Sequence, residues 1–164
     1  MSNIRSDILF LLERNARLTA AEIAVSLGLT EDAVAKEIAK LEKEQVICGY
    51  STLINWSHTD TSLLTALIEV KVTPARGKGF DGIAERIYRF EEVKSVFLMS
   101  GDYDLAVTIE GRSLQEIASF VSDKLATMES VLSTATHFVL RKYKDHGVIM
   151  ADGDDEPERM IVSP

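Results

Sequence analysis

One cysteine is too few for an internal disulfide, and Cys48 has no Cys or His neighbours at the spacing of a zinc site. A metal-free fold in a reducing compartment is therefore expected, with Cys48 acting as a small buried apolar residue. The three histidines, His58, His137 and His146, are scattered, so no catalytic triad or ligand cluster can be read from them. No apolar run approaches the ~18–20 residues of a membrane span. The opening Met1-Ser-Asn-Ile-Arg-Ser-Asp lacks the basic and apolar regions of a secretion signal, so a cytoplasmic location is expected. Positive charge is also scarce. Lys and Arg number 18 against 26 Asp and Glu, a net charge of −8. Residues 145–164 carry −5 of this, with Asp145, Asp152, Asp154, Asp155, Glu156 and Glu158 against Arg159. Residues 1–56 hold six bases and eight acids, which is meagre for contact with nucleic acid.

What is present begins with Thr19 and Glu22, at the spacing of a capping box that opens a short helix. Ile23, Ala24 and Leu27 give it one apolar face, and Gly28 suits the left-handed residue that stops it. Thr30 caps a second helix in which Val34, Ile38 and Leu41 form a buried stripe. The small Ala24, the Gly28 turn and Val34 have the spacing of a helix-turn-helix, whose second helix enters the major groove of DNA. A helical hairpin in an ordinary bundle shares this spacing. Residues Ile4 to Asn15 form a covering helix through Ile8, Leu9, Leu11 and Leu12, with Asn15 as a left-handed stop. After the second helix, Val46 to Asn55 turns to β-branched and aromatic residues, predicting a short wing strand and an extended connector.

From Leu63 the period changes to two. Leu64, Ala66, Ile68, Val70 and Val72 predict the buried side of a strand that Pro74 ends. Arg76-Gly-Lys-Gly reads as a loop, Phe80 to Phe90 as an amphipathic helix, and Val93–Met99 and Leu105–Glu110 as a hairpin. Ser113 caps a helix to about Met128, with Leu114, Ile117, Phe120, Val121 and Leu125 inward, and Val131 to Tyr143 is the last strand. The order strand, helix, strand, strand, helix, strand is the ferredoxin-like arrangement, with both helices on one sheet face. The fold class is α+β: a winged helix-turn-helix over residues 1–50, a connector over 51–62, a ferredoxin-like βαββαβ sandwich over 63–144 and an acidic, solubilising tail over 145–164. An uncovered sheet face lined with apolar side chains predicts a homodimer.

These features together resemble the Lrp/AsnC family, the feast/famine transcription regulators of prokaryotes, over roughly residues 5–144. The resemblance rests on Asp7-Ile-Leu, Asn15-Ala-Arg, Leu41-Glu42, Val46-Ile47, Gly49-Tyr50 and Gly101-Asp-Tyr-Asp104. It implies double-stranded DNA as one partner and self-assembly to dimers and to octamers or similar rings. It also implies an amino acid or related metabolite as effector, with no cofactor and no metal. For DNA contact the candidates are Thr19, Thr30, Ala33, Lys36, Glu37 and Lys40. The resemblance points to the hairpin Met99, Ser100, Gly101, Asp102, Tyr103 and Asp104 for the effector. There Gly101 would expose N–H groups to a carboxylate, and Asp102 or Asp104 would pair with an ammonium. A plain β-turn uses the same residues. Thr134 and Thr136 share one strand face and are further candidates.

The chain departs from the family at Glu37, where Arg is frequent, and at Gln45, where Gly is common. Glu37 could repel phosphates or accept a hydrogen bond from cytosine N4, and both readings stand. Glu31 and Asp32 suit the positive end of the helix dipole. The expected function is a DNA-binding transcriptional regulator responsive to a small metabolite. The alternative is a metabolite-binding assembly protein that acts through protein contacts. A small enzyme ranks last.

Overall fold

The computed structural model describes residues 4–61, 63–74 and 79–150. The chain divides into two compact units at Leu53/Ile54. The first unit is three helices: α1 (Ile4–Arg14), α2 (Ala20–Leu27) and α3 (Glu31–Lys43). Ile8, Ile23, Val34 and Leu41 are fully buried between them, together with Leu12 and Ala24, as the helical spacing requires.

Two expectations for this unit need correction. Asn15 is not left-handed; its N–H donates to Leu11 O at 3.0 Å and its side chain accepts the Arg17 N–H at 3.1 Å, so a side-chain turn closes α1. No strand forms over residues 46–55. Strand propensity needs a ladder partner, and among the described residues none pairs with that segment, so Val46, Tyr50, Leu53 and Ile54 stay exposed.

A single 3-10 turn (Trp56–His58) precedes the second unit's sheet. The sheet comprises β1 (Leu64–Val72), β2 (Val93–Leu98), β3 (Leu105–Gly111) and β4 (Val131–Phe138), in the antiparallel order β2-β3-β1-β4. Helices α4 (Asp81–Tyr88) and α5 (Leu114–Ser119) connect the strands. Ala66, Ile68, Val70 and Val72 pack with Leu105, Val107 and Ile109 against Ile83, Ile87, Ile117 and Phe120. The loop expected at Arg76-Gly-Lys-Gly falls largely outside the described residues, as does most of the acidic tail.

Beyond α5 the helix widens into a π turn over Phe120–Leu125, in which Ala126 N–H donates to Val121 O at 2.8 Å. A spacing of five between the buried Phe120 and Leu125 suits this i→i+5 turn, whereas Leu114, expected inward, is exposed. β4 stops at Phe138, short of the expected Tyr143. Lys144–Asp145 (β5) and Val148–Ile149 (β6) then form a separate hairpin, so Asp145 belongs to paired structure and not to the acidic tail. His146 and Gly147, with φ of 44° and 82°, make its two-residue turn.

The uncovered sheet face is less apolar than expected. By register, Leu67, Phe97, Ala106 and Ala135 share it with Glu69, Lys71, Thr108 and His137. His137 Nε2 and Glu69 Oε1 are 3.3 Å apart there.

Candidate DNA-reading helix and effector loop

The capping box forms as the spacing predicts. Thr19 Oγ1 accepts the Glu22 N–H at 3.3 Å, while the Glu22 carboxylate takes the Thr19 N–H and hydroxyl, each at 2.8 Å. Gly28 adopts φ 66°, which frees the N–H groups of Gly28 and Leu29 to reach Ala24 O and close the helix. Thr30 Oγ1 then accepts the Ala33 N–H at 3.3 Å and starts α3. Both threonine hydroxyls therefore hold helix ends.

Along α3, Ala33, Lys36 and Lys40 stand exposed, and helical spacing sets Lys43, which the sequence reading passed over, on the same outer side. Lys36 Nζ lies 2.6 Å from Asp32 Oδ2, one turn back, with both side chains about three-quarters exposed. Such a pair contributes about 0.3–0.5 kcal/mol and is easily exchanged for a phosphate. Glu37 is different. It turns from the outer side towards α1, with Oε1 3.9 Å from Arg5 Nε, and Arg5 also bonds Glu44. Lys40 Nζ reaches Glu44 Oε1 at 4.0 Å. The four charges join α1 to α3.

The bond from Arg5 holds the Glu44 carboxyl below its usual range, and the backbone N–H of Thr19, then its hydroxyl, does the same for Glu22. A carboxyl lowered in the folded state contributes stability that is present above the ordinary carboxylate range and is lost as pH falls through the lowered folded value. The thermal midpoint of the first unit is therefore expected to fall on acidification below pH ~4.3. Glu22→Gln should flatten that fall, as followed by circular dichroism.

At the other end of α3, Gln45 takes φ 57°, a left-handed backbone that glycine adopts without penalty. Its N–H donates to Glu42 O at 3.0 Å and the Val46 N–H to Leu41 O at 2.9 Å, the paired bonds of a Schellman ending. Its side chain adds a bond to Glu42 O at 3.2 Å. Gln45→Gly is expected to raise stability by about 0.5–1 kcal/mol, since relief of the ~1–2 kcal/mol conformational cost exceeds that lost bond and glycine's extra entropy. Urea melts would check it. Tyr50 Oη donates to Glu42 Oε1 at 2.8 Å, whereas Cys48 is exposed, contrary to the buried position expected of it.

In the second unit, the β2–β3 connection carries the six loop candidates. Met99 N–H donates to Asp104 O at 2.8 Å and closes the loop. Met99, Ser100, Gly101 and Asp102 are exposed, and Tyr103 and Asp104 are half-buried. Gly101 has open space where a Cβ would stand. Asp104 is occupied: its Oδ2 accepts the Val72 N–H at 2.8 Å, and its N–H donates to Val70 O at 3.1 Å. Asp102 is thus the loop carboxylate with no bond to the frame.

Thr134 pairs with Val70 and Thr136 with Ile68, so both threonines sit half-buried on the helix-covered face. Since Val70 also pairs with Leu105, the loop's base and Thr134 flank one residue of β1 from either side. The loop base and Thr134 stand at one end of the sheet, about 10 Å or two strand spacings apart. Among the described residues, no three of His, Cys, Asp and Glu are placed to hold a metal, and no helix is long and apolar enough to cross a membrane.

Comparison with known proteins agrees with this division. Residues 1–47 match the winged helix-turn-helix DNA-binding family model, and residues 65–149 match that of the Lrp/AsnC ligand binding domain. The chain is 52% identical over 160 residues to the uncharacterised HTH-type transcriptional regulator YugG of Bacillus subtilis, covering 97% of this chain and 96% of that one. It is 31% identical over 137 residues to the HTH-type transcriptional regulator LrpA of Pyrococcus horikoshii, covering 84% and 94%. Among solved structures, a transcriptional regulator of Neisseria meningitidis crystallised as its L-Met complex shares the fold. Its TM-score is 0.71 at 23% identity, with 88% of this chain and 93% of that chain covered.

Proposed function

The chain belongs to the Lrp/AsnC family of transcriptional regulators, and on that premise we propose that it binds specific DNA sites through α3 and alters that binding when an amino acid occupies the hairpin loop of its second unit. The observation that carries the DNA half is the outer side of α3, where Ala33, Lys36, Lys40 and Lys43 stand clear of the core behind the left-handed Gly28 turn. The amino-acid half is supported by the match to the ligand binding domain and by the L-Met complex of a protein with the same fold. In this reading, backbone N–H groups about Gly101 receive the effector carboxylate and Asp102 receives its ammonium. Thr134 stands at the same end of the sheet, with Thr136 one step further along the same face.

The regulator works in the cytoplasm as a dimer or larger ring. Two recognition helices per dimer then read near-palindromic operators whose half-sites lie ~34–36 Å apart or a multiple of it. Phosphate contacts per protomer are few, since residues 1–56 carry more acids than bases, so several protomers must bind together.

Binding-site selection from genomic DNA, with and without a panel of amino acids, tests both halves. Enrichment of a palindromic site that one amino acid strengthens or weakens is the expected result. No enrichment, with an amino acid still bound, would favour the metabolite-binding assembly protein, a reading that the acidic balance of residues 1–56 supports.

A further inference from the structure

We infer that the cavity where residues 54–57 meet the end of β4 is a binding site for a small apolar carboxylate that carries no amino group. The cavity, of about 330 Å³, lies within the second unit and has Ile54, Trp56, Leu63, Val139 and Met150 as its apolar wall. That volume is at the small end of the ~300–1,000 Å³ usual for ligand pockets and suits an acid with one branched or aromatic group.

Its frame is fixed by hydrogen bonds. Val139 N–H donates to Thr65 O at 2.9 Å and Met150 N–H to Tyr143 O at 2.9 Å. Asn55 Nδ2 donates to Met150 O at 3.3 Å, and Asn55 Oδ1 accepts the Ser57 N–H at 3.2 Å and its hydroxyl at 2.6 Å. The carbonyl oxygen of the Asn55 amide and one of its two N–H groups are therefore spent on the frame.

Charge decides the ligand class. Two cations line the cavity, Arg141 and Lys142, and among the described residues no Asp or Glu does. Lys142 Nζ is shared with Asp145 at 3.3 Å. Arg141 lies over the Tyr143 ring, 5.1 Å from its centroid, and among the described residues no carboxylate partners it. A guanidinium at the rim of an apolar cavity is suited to a bidentate carboxylate. An α-ammonium entering the same space would lose water and find no opposite charge. A plain or 2-oxo carboxylic acid should therefore bind better than the amino acid with the same side chain. The site is separate from the hairpin loop, and the inference does not depend on the effector proposed there.

Trp56 is the sole tryptophan of the chain and lines the cavity, so its emission reports occupancy. The full-length protein would be titrated with 4-methyl-2-oxopentanoate, 4-methylpentanoate and leucine. A saturable change is expected with both acids, with leucine at least about ten-fold weaker. Arg141→Met should weaken the acids by at least about ten-fold and Arg141→Lys by less, and the comparison of acid with leucine stands even if a variant fails to fold. Equal affinity for leucine, an unchanged Arg141→Met, or no saturation by about 10 mM would overturn the inference. So would an emission change that follows protein concentration and not acid, which would give the cavity to a second copy. Acid binding that emerges only after Asp152, Asp154 and Asp155 are changed to Asn would give it to the chain's own acidic segment, and would equally overturn the inference.

Discussion

Alanine at Lys36, Lys40 and Lys43 together is expected to remove most of the affinity for DNA and to flatten its salt dependence. Each phosphate contact contributes about 0.9 to the slope of log Kobs against log salt, so losing three per protomer lowers the slope by about 2.7 for each protomer bound. The three side chains extend from the outer side of α3, and the ion pairs of Lys36 and Lys40 are exposed and weak, so the substitution leaves the helical core intact. Fluorescence anisotropy across a salt series would measure the change. An unaltered slope would move the DNA contact off α3. Glu37→Arg is a subtler change than the sequence implies, because it sets a second cation beside Arg5 in place of an ion pair. The gain in phosphate attraction then comes with a weaker link between α1 and α3.

Asp104→Ala is expected to cost the second unit about 2 kcal/mol, the scale of a hydrogen bond to a charged acceptor, by leaving the Val72 N–H without its carboxylate. For a unit of this size that lowers the thermal midpoint by roughly 8–16 °C. Asp102→Ala, which touches no part of the frame, should leave the midpoint unchanged and weaken binding of the amino-acid effector by calorimetry. The reverse pattern would return the ammonium-binding role to Asp104 and make the loop's stability independent of it.

The parts of the fold legible in the sequence are those whose cause is local. Thr19 and Glu22 satisfy each other within one turn, Gly28 stops its own helix, and the alternation from Leu64 to Val72 needs no partner to be seen. The two-residue turn His146-Gly147 was also within reach, since glycine adopts the positive φ that a two-residue hairpin turn requires. What escaped was long-range. Arg5 meets Glu37 and Glu44 only after α1 packs on α3, and Asp104 finds Val72 only once β3 pairs with β1. The absence of a wing strand has the same cause in reverse, because residues with strand propensity stay unpaired when no neighbour among the described residues meets them. The β2–β3 loop itself was legible from Gly101 and its neighbours, whereas the engagement of Asp104 with the frame, which leaves Asp102 clear of it, was not.

The order β2-β3-β1-β4 has a consequence for synthesis on the ribosome. The first unit draws on contacts close in sequence and can close as soon as about fifty residues have emerged. The sheet cannot. β1 is made first, yet it occupies an interior position and must wait for β3 on one flank and for β4, ending at Phe138, on the other. At ~5–20 residues per second the Ile68 and Val70 side of β1 is left without its covering for several seconds. A three-helix unit that is already folded and a nascent strand that is not would then share one tether. That interval is when this chain is most exposed to self-association, and a chaperone's hold on the Leu64–Val72 segment would matter most.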